Sequence, residues 1–242
     1  MSIKCSRSLN SSFHFDVQHS GFRITCRPSP ALLRSAFQLR AKVFCRELGW
    51  VGTPESQIEM DVFDDGVVHL CVEKESHAVA YLRIHPWWSK WMLRTVFSDA
   101  LPPDYEGKGR SSCEVSRLAV DPAFRSPCHN DGASPTGLLY SYLNAFCMIN
   151  HYSTVEMIVS HTILKSLRRS GLPCKANTFE IKSNHSDVPI YAYLDWHDLL
   201  KENSASSSKL AATCSEALKK VTEGSDQNDY AMTKYRKAVS AY

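Results

Sequence analysis

The sequence predicts an α/β (α+β) fold in which helices flank a central mixed, twisted sheet. Alternating or wholly apolar segments, typical of strands, recur between residues 22 and 196, and amphipathic segments typical of helices separate several of them. Their order is strand, helix, hairpin and then alternating strands and helices, which is the pattern of a sheet covered by helices. The 242 residues suffice for one such domain with a single hydrophobic core.

Local signals place the elements along the chain. Ser29 is suited to cap the first helix, Pro30 to occupy its first position and Gly49 to end it. In the first half we expect a strand at 22–27, a helix at 31–48, a hairpin of strands 67–73 and 78–84, and a short helix at 88–101. In the second half we expect strands at 113–120, 155–160 and 188–196, with helices at 134–150 and 162–170.

Composition changes mark three parts of the chain. Residues 1–20 lack periodicity and are expected to form a loose N-terminal arm, and residues 21–200 carry the predicted domain. The serine-rich run at 204–208 is typical of a linker, so residues 201–242 are expected to be a C-terminal extension, helical over 210–221 and mobile beyond.

Charge and composition exclude several classes of protein. A net charge of +3, from 28 basic and 25 acidic residues, does not indicate a nucleic-acid binder. No apolar stretch has the length of a membrane span, and the N-terminus does not look like a secretion signal, so we expect a cytoplasmic protein. The nine cysteines and ten histidines are scattered without metal-ligand spacing, which predicts free thiols and no metal site.

Two groups of polar and aromatic residues precede the hairpin. Arg40 and Phe44 are four residues apart on one predicted helix, so they share a face, and Trp50 follows that helix. Residues 59–65 contain Glu59, Asp61, Asp64 and Asp65, which repel one another unless cations balance them. The bland alternatives are an arginine stem packed on aromatic rings and a solvated acidic loop. The intervening Val62 and Phe63 favour a loop that folds inward.

Two further groups lie on predicted strands. Arg83 is a charge inside an otherwise apolar strand and needs a partner if it is buried, which the acidic loop could supply. In Glu114-Val-Ser-Arg117, Glu114 and Ser116 face one side of a regular strand and Arg117 the other. Glu114 and Arg117 would converge only if the strand bulges between them, as strands do beside active sites. A structural ion pair or an exposed edge is the alternative.

In combination these residues resemble the acyl-homoserine-lactone synthases, the autoinducer synthases of bacterial quorum sensing. Residues 91–97 and 159–171 also look like segments of that family, and the resemblance covers roughly residues 32–196. The positions that match the family's pattern are Arg40, Phe44, Trp50, Glu59, Asp61, Asp64, Arg83, Glu114 and Arg117.

The resemblance implies an acetyltransferase-like (GNAT-like) fold and an acyltransferase activity. It implies that S-adenosylmethionine is a substrate, that acyl carrier protein or acyl-coenzyme A donates the acyl group, and that no cofactor is tightly bound. The amine would be acylated, and the methionine carboxylate would then displace methylthioadenosine and close the lactone. This agrees with the absence of a GxSxG nucleophile motif, because no acyl-enzyme intermediate is needed.

The resemblance and the chemistry together imply roles for individual residues. Glu114, Ser116 and Arg117 are the candidate catalytic residues: Glu114 is the candidate base, and the backbone N–H groups of a bulge near Ser116 to Ala119 would stabilise the oxyanion. Arg83 and Arg117 are expected to pair with Asp61, Asp64 and Glu114. The expected S-adenosylmethionine site comprises Arg40, Phe44, Trp50, Asp61, Asp64 and Arg83. The expected acyl pocket comprises Leu118, Phe146, Met148 and Met157. The expected carrier-protein surface, which could equally be a solvated helix face, comprises Lys165, Arg168, Arg169 and Lys175.

Some features depart from the family and leave alternatives open. The arm and the extension are longer than expected, and Met157 stands where members that prefer 3-oxo chains tend to carry threonine. One rival is a GNAT-like acyltransferase acting on another amine with acyl-CoA or acyl-ACP, although the pyrophosphate-binding loop signature of the CoA-dependent N-acetyltransferases is missing from residues 120–132. Another is a non-catalytic binding relative.

Overall fold

The computed structural model describes residues 14–52, 57–107, 109–125, 134–177, 189–202 and 204–223. Within them, eight strands form one sheet in the order β1-β2-β3-β4-β5-β6-β8-β7. The strands are β1 Asp16–His19, β2 Phe22–Thr25, β3 Val68–Lys74, β4 His77–His85, β5 Ser112–Val120, β6 Thr154–Val159, β7 Lys175–Asn177 and β8 Ile190–Asp195. The α-helices are α1 Pro30–Arg40, α2 Pro135–Ile149, α3 His161–Arg169, α4 Trp196–Lys201 and α5 Ala205–Thr222. The predicted fold class is confirmed.

The first helix begins where the sequence predicts. The Ser29 hydroxyl accepts a hydrogen bond from the Leu32 N–H at 3.2 Å, and Pro30 occupies the first turn. Beyond Arg40 the helix continues as a π-helix over Ala41–Glu47. Gly49 follows with φ +63°, a conformation that glycine adopts without strain, and the chain turns away there.

The two faces of the sheet have different partners. Alternate residues of β4 point to opposite faces, so Leu82 and Ile84 join the large core that includes residues of α2, α3 and α5. Tyr81 joins a smaller core formed with α1. Arg83, fully buried, lies on the same side as Tyr81, which we call the α1 face. The sequence-predicted charged site therefore lies under α1.

A single seam of the described sheet is parallel. β5 pairs with β6 only from Ser112 to Glu114, whereas β5 continues to Val120 against β4, and β6 continues to Val159 against β8. The pairing between β5 and β6 therefore ends at Glu114 and Glu156, the third residue of each strand. We call the unpaired stretch beyond them the β5–β6 interruption.

The ends of the domain differ from the prediction. Asp16–His19, placed in a loose arm, pairs with β2 through a tight turn at Ser20 and Gly21, both with positive φ. The extension is also part of the fold, because α5 buries Leu210, Cys214, Ala217, Leu218 and Val221 in the main core. The predicted helix over 210–221 is thus present, but residue 200 is not the edge of the folded body. Residues 1–13 and 224–242 lie outside the described part.

The segment 88–101 is not an α-helix, contrary to the prediction. It forms turns and one 3₁₀ segment, Ser98–Ala100. The Trp91 indole N–H donates to the Pro86 carbonyl at 2.8 Å, and the Leu93 N–H donates to the Glu114 carboxylate at 3.3 Å. Tertiary hydrogen bonds therefore take over groups that a helix would pair internally. β7 and α4 were not predicted, and the hairpin turn is two residues long rather than four.

Candidate active site

Buried arginines and carboxylates alternate on the α1 face. Arg40, at the end of α1, donates to Glu59 at 2.5 Å and to Asp64 at 2.6 and 3.1 Å. Arg83, on β4, donates to Asp61 at 2.6 Å and to Asp64 at 2.8 Å. Each arginine thus bridges two groups of the acidic loop, and none of these five side chains is more than 20% exposed. The loop folds inward, as predicted, and the arginines hold it there.

The predicted bulge in β5 is present. Arg83 pairs with Ser116 and Tyr81 with Ala119, so three steps along β5 match two along β4. Arg117 has φ +56°, which is rare for a residue with a side chain. The extra residue turns the Arg117 side chain to the same face as Glu114 and Ser116.

Arg117 joins the network from β5. Its guanidinium donates to Glu59 at 3.0 Å and to Asp61 at 2.7 Å, and it lies 5.4 Å above the centre of the Phe44 ring. Together with Arg40 and Arg83 it completes a cluster of three arginines and three carboxylates drawn from four segments of the chain. The cluster replaces the self-repulsion of the acidic loop with ion pairs.

The arginines control the charge of the acidic loop. Burial alone would raise the pKa of Asp64, but the hydrogen bonds and charge of Arg40 outweigh burial and lower it to about 2. Burial opposes the shift at Asp61 too, and the contacts of Arg83 lower the pKa of that carboxyl. Both groups are ionised near neutral pH. Phe63 anchors the loop in the interior, whereas Val62, also expected to be an anchor, is 77% exposed.

Glu114 lies beside this cluster in a different environment. It is 2% exposed, and its carboxylate accepts from the Leu93 N–H. Burial raises the pKa of Glu114 to about 8, against the opposing effects of that hydrogen bond and of the Arg83 charge. The expected pairing of Arg83 and Arg117 holds for the acidic loop, but within the described contacts neither guanidinium donates to Glu114.

Two neighbouring side chains determine the direction in which the Ser116 hydroxyl donates its hydrogen bond. Its hydroxyl accepts from Arg83 Nε at 2.9 Å and lies 2.9 Å from His85 Nε2. Burial, followed by the Arg83 charge, lowers the pKa of His85 to about 3, so the ring is neutral. Because His85 Nδ1 lies 3.1 Å from the Lys90 carbonyl, Nδ1 carries the hydrogen and Nε2 accepts from the Ser116 hydroxyl.

The predicted aromatic pair lies at the edge of the cluster. Phe44 is buried and its ring centre is 6.2 Å from that of Trp50, whose backbone N–H donates to the Phe44 carbonyl. Trp50 itself is 48% exposed. The two rings can therefore form one wall of a site that is open on the Trp50 side.

The four residues predicted to line the acyl pocket lie together on the opposite face. Phe146 and Met157 are buried in the main core, and Leu118 and Met148 are partly buried and pack against it. Met157 follows Glu156 on β6, so their side chains point to opposite faces. An acyl chain in contact with these residues would have to pass the β5–β6 interruption. Their role stays a prediction.

The predicted docking residues are placed unevenly. Lys165, Arg168 and Arg169 are exposed on α3. Lys175 pairs with Asp198 at 2.7 Å, which neutralises much of its charge, and Arg168 Nε donates to the Cys174 carbonyl. The basic surface is therefore mainly that of α3, and carrier binding stays a prediction.

Several residues of the site were not identified from the sequence. Met92 places its sulfur 2.9 Å from Arg83 Nη2, and its segment supplies the N–H groups that face Glu114. Glu156, a charged residue in the apolar segment 155–160, gave the same signal as Arg83 and was overlooked. His85 carried no distinguishing signal, since its role depends on the β4–β5 register.

The fold and the charged cluster define the class. The described sheet is mostly antiparallel with one parallel pairing, and the same fold is found in solved acyl-homoserine-lactone synthases and, with a TM-score of 0.50 and 14% identity, in a putative N-acetyltransferase from Lactobacillus plantarum. The family model described as "Autoinducer synthase" matches residues 27–202. The chain belongs to this family, whose members are acyl-homoserine-lactone synthases.

Individual relatives agree with this assignment. The acyl-homoserine-lactone synthase of Vibrio anguillarum is 30% identical over 144 residues, which are 58% of this chain and 74% of the relative. That of Aeromonas salmonicida is 28% identical over 57% of this chain and 67% of its own length. The same fold occurs in the CoA-dependent synthase BjaI, solved with MTA, with a TM-score of 0.63 and 18% identity over 78% of this chain and 82% of that one. The synthase LasI has a TM-score of 0.61 and 17% identity over 76% and 91%.

Among the described helices, none combines the length and the apolar character of a membrane span. The cysteines within the described residues are free and buried, and no disulfide joins them.

Proposed function

We propose that the protein transfers an acyl group from acyl carrier protein to the amine of S-adenosylmethionine and then releases an acyl-homoserine lactone and methylthioadenosine. The main support is the placement of Glu114. It is a buried carboxylate without a salt bridge among the described contacts, next to an ion-paired acidic cluster and at the residue where β5 and β6 part. The family assignment supports the reaction class.

The first step requires a deprotonated amine. Glu114, directly or through a water molecule, takes a proton from the substrate ammonium group, and its pKa of about 8 lies close to what transfer near neutral pH requires. The amine attacks the thioester carbonyl, the N–C bond forms and the C–S bond breaks. The second proton of the amine passes to the departing carrier sulfur, which leaves as a thiol. Backbone N–H groups around the bulge at Arg117 suit the developing oxyanion.

The second step closes the lactone without a further protein nucleophile. The methionine carboxylate attacks the carbon next to the sulfonium, and the sulfur departs with the electrons of that bond as neutral methylthioadenosine. Asp61 is 20% exposed and is the member of the cluster best placed to attract the cationic substrate. Arg40 is fully buried and bound to the acidic loop, which favours a supporting role over direct contact with substrate. Phe44 and Trp50 would wall the site.

The acyl donor is argued from charge. Carrier proteins are acidic, and the exposed Lys165, Arg168 and Arg169 of α3 form a surface that could steer them. Acyl-CoA is the competing donor, as in BjaI. The free buried thiols suit a reducing compartment, so we propose that the reaction takes place in the cytoplasm.

The test is to incubate the purified protein with S-adenosylmethionine and either acyl carriers or acyl-CoAs of several lengths. Lactone and methylthioadenosine in equal amounts support the proposal, and mass spectrometry identifies the chain. A charge reversal of Arg168 and Arg169 should raise KM for the carrier and leave KM for S-adenosylmethionine unchanged, with a smaller effect at high salt. Acylation of another amine, or no product with any donor, would overturn the proposed reaction.

A further inference from the structure

A second buried carboxylate lies next to Glu114 across the parallel seam. Glu114 of β5 and Glu156 of β6 are direct register partners, and this pair is the last before the pairing ends. Residues in register on neighbouring strands point to the same face of a sheet, so both carboxylates lie on the α1 face. Glu114 is 2% exposed and Glu156 is fully buried. Two acidic groups thus share one interior region.

Glu156 is held by two tyrosine hydroxyls. Tyr105, from the loop before β5, donates to Glu156 Oε2 at 2.8 Å, and Tyr191, from β8, donates to the same atom at 2.9 Å. The two rings pack edge to face, 5.5 Å between centres. Burial raises the pKa of both hydroxyls, so they remain protonated and can donate. Donation from two sides fixes the position of the Glu156 carboxylate. Arg94 also hydrogen-bonds with Tyr105, so its positive charge lies beside the clamp and opposes the effect of Glu156.

We propose that Glu156, clamped by Tyr105 and Tyr191, is a positioning residue that acts through Glu114: its fixed negative charge favours the protonated form of Glu114 and so strengthens it as the base. This rests on the proposed function, because it assigns Glu156 a part in the same proton transfer.

Other groups facing Glu114 determine how large the effect can be. On the β4 side, Arg83 is cationic and opposes Glu156, whereas the register partner His85 is neutral. On the side of segment 92–93, backbone N–H groups favour the ionised form of Glu114. Burial is the main reason that the pKa of Glu114 is raised, and the charge of Glu156 acts in the same direction. Removing that charge should therefore shift the titration of Glu114 without abolishing its elevation.

The test compares Glu156→Gln with two matched variants. Gln keeps an oxygen that accepts from both tyrosines and loses the charge; Glu156→Asp keeps the charge; Tyr191→Phe keeps the charge and loses one donor. Two readouts are measured: the pH dependence of kcat/KM for S-adenosylmethionine, and the titration of the Glu114 carboxyl carbon in ¹³C-glutamate-labelled protein without substrate. Glu114→Gln identifies the Glu114 resonance.

For Glu156→Gln we expect both midpoints to move to lower pH by about one unit, and turnover above pH 8 to fall roughly 3- to 10-fold because the base is weaker. Glu156→Asp should restore most of the midpoint, and Tyr191→Phe should leave it near that of the wild type. Lower turnover with unmoved midpoints in a folded Glu156→Gln would overturn the proposal, because that is the result of a merely structural role. If Glu156→Gln does not fold, the proposal would be overturned by a Glu156→Asp midpoint that lies as far below the wild-type midpoint as is expected for complete loss of the charge. A moved carbon midpoint in a protein that makes no lactone would support the coupling and overturn the proposed function instead.

Discussion

Replacement of Glu114 with glutamine should reduce turnover and at the same time make the protein less sensitive to high pH. The folded pKa of Glu114 is about 8, compared with about 4.5 for an unfolded chain. A carboxyl whose pKa is raised on folding stabilises the folded state when protonated, and this stability is lost as pH rises through the folded pKa. The wild type should therefore lose stability between pH 6.5 and 9, and the variant should lose less.

The magnitude follows from the shift. From pH 6.5 to 9 the group loses about 1.5 units of linkage, which at 1.36 kcal/mol per unit is about 2 kcal/mol. Glu114 is almost fully buried, so solvent screening reduces this value little. Asp61 and Asp64 titrate far below this range. Buried thiols contribute equally to both proteins, so the difference between wild type and variant isolates Glu114.

The assay is urea unfolding at pH 6.5, 7.5, 8.3 and 9 for the wild type, Glu114→Gln and the control Glu75→Gln, whose side chain is exposed in the β3–β4 turn. Turnover is measured on the same samples, and we expect a decrease of about 10²- to 10⁴-fold for Glu114→Gln only. Equal pH slopes for all three proteins would mean that Glu114 is already ionised at pH 6.5. Wild-type turnover in a folded Glu114→Gln would remove it from the mechanism.

Three further predictions concern stability. Gly171→Ala should cost about 3 kcal/mol or more, because Gly171 has φ +91° and a Cβ there would lie 2.5 Å from a backbone oxygen of α5. The control Gly49→Ala, at φ +63° in open space, should cost only about 1 kcal/mol. Thermal melting compares the two variants, and equal costs would contradict the close approach at Gly171. Leu218→Ala should cost about 2–5 kcal/mol in urea unfolding, and the exposed control Lys219→Ala should cost almost nothing. Equally small costs for both variants would show that α5 does not contribute to the stability of the domain. Arg83→Met should cost about 3–5 kcal/mol, because it removes the shared cation from two carboxylates that are only 20% and 7% exposed. A variant as stable as the wild type would show that the cluster is dispensable for folding.

The secondary structure was predictable where local chemistry decides it. Ser29 caps α1 as expected, the helix predicted over 134–150 is α2, and the bulge inferred from the spacing of Glu114 and Arg117 is present. The prediction was wrong at residues 88–101, where the Leu93 N–H binds a carboxylate from β5 instead of closing a helical turn. At the two ends the prediction missed tertiary contacts: β1 pairs with β2 and its His19 contacts Tyr142 of α2, and the predicted helix α5 packs into the main core.

The candidate site was partly predictable for the same reason. Charges inside apolar segments need partners, so Arg83 and the acidic loop could be matched before any coordinates were known. Which carboxylate pairs with which arginine could not be predicted, because guanidinium geometry in the folded cluster decides it. Among the described contacts, Arg117 binds Glu59 and Asp61 rather than Glu114.

By itself, then, the sequence determined the fold class, most elements and the family, since periodicity, caps and the spacing of charged residues are properties of the chain itself. Only the tertiary structure decided that Glu114 and Glu156 are neighbours, because the parallel pairing of β5 and β6 brings together two residues that are 42 positions apart in the chain. It also decided that the predicted acyl-pocket residues lie across the sheet from the charges. The physical reason is that strand register and side-chain alternation, not order along the chain, determine which groups share the low-dielectric interior where their pKa values shift.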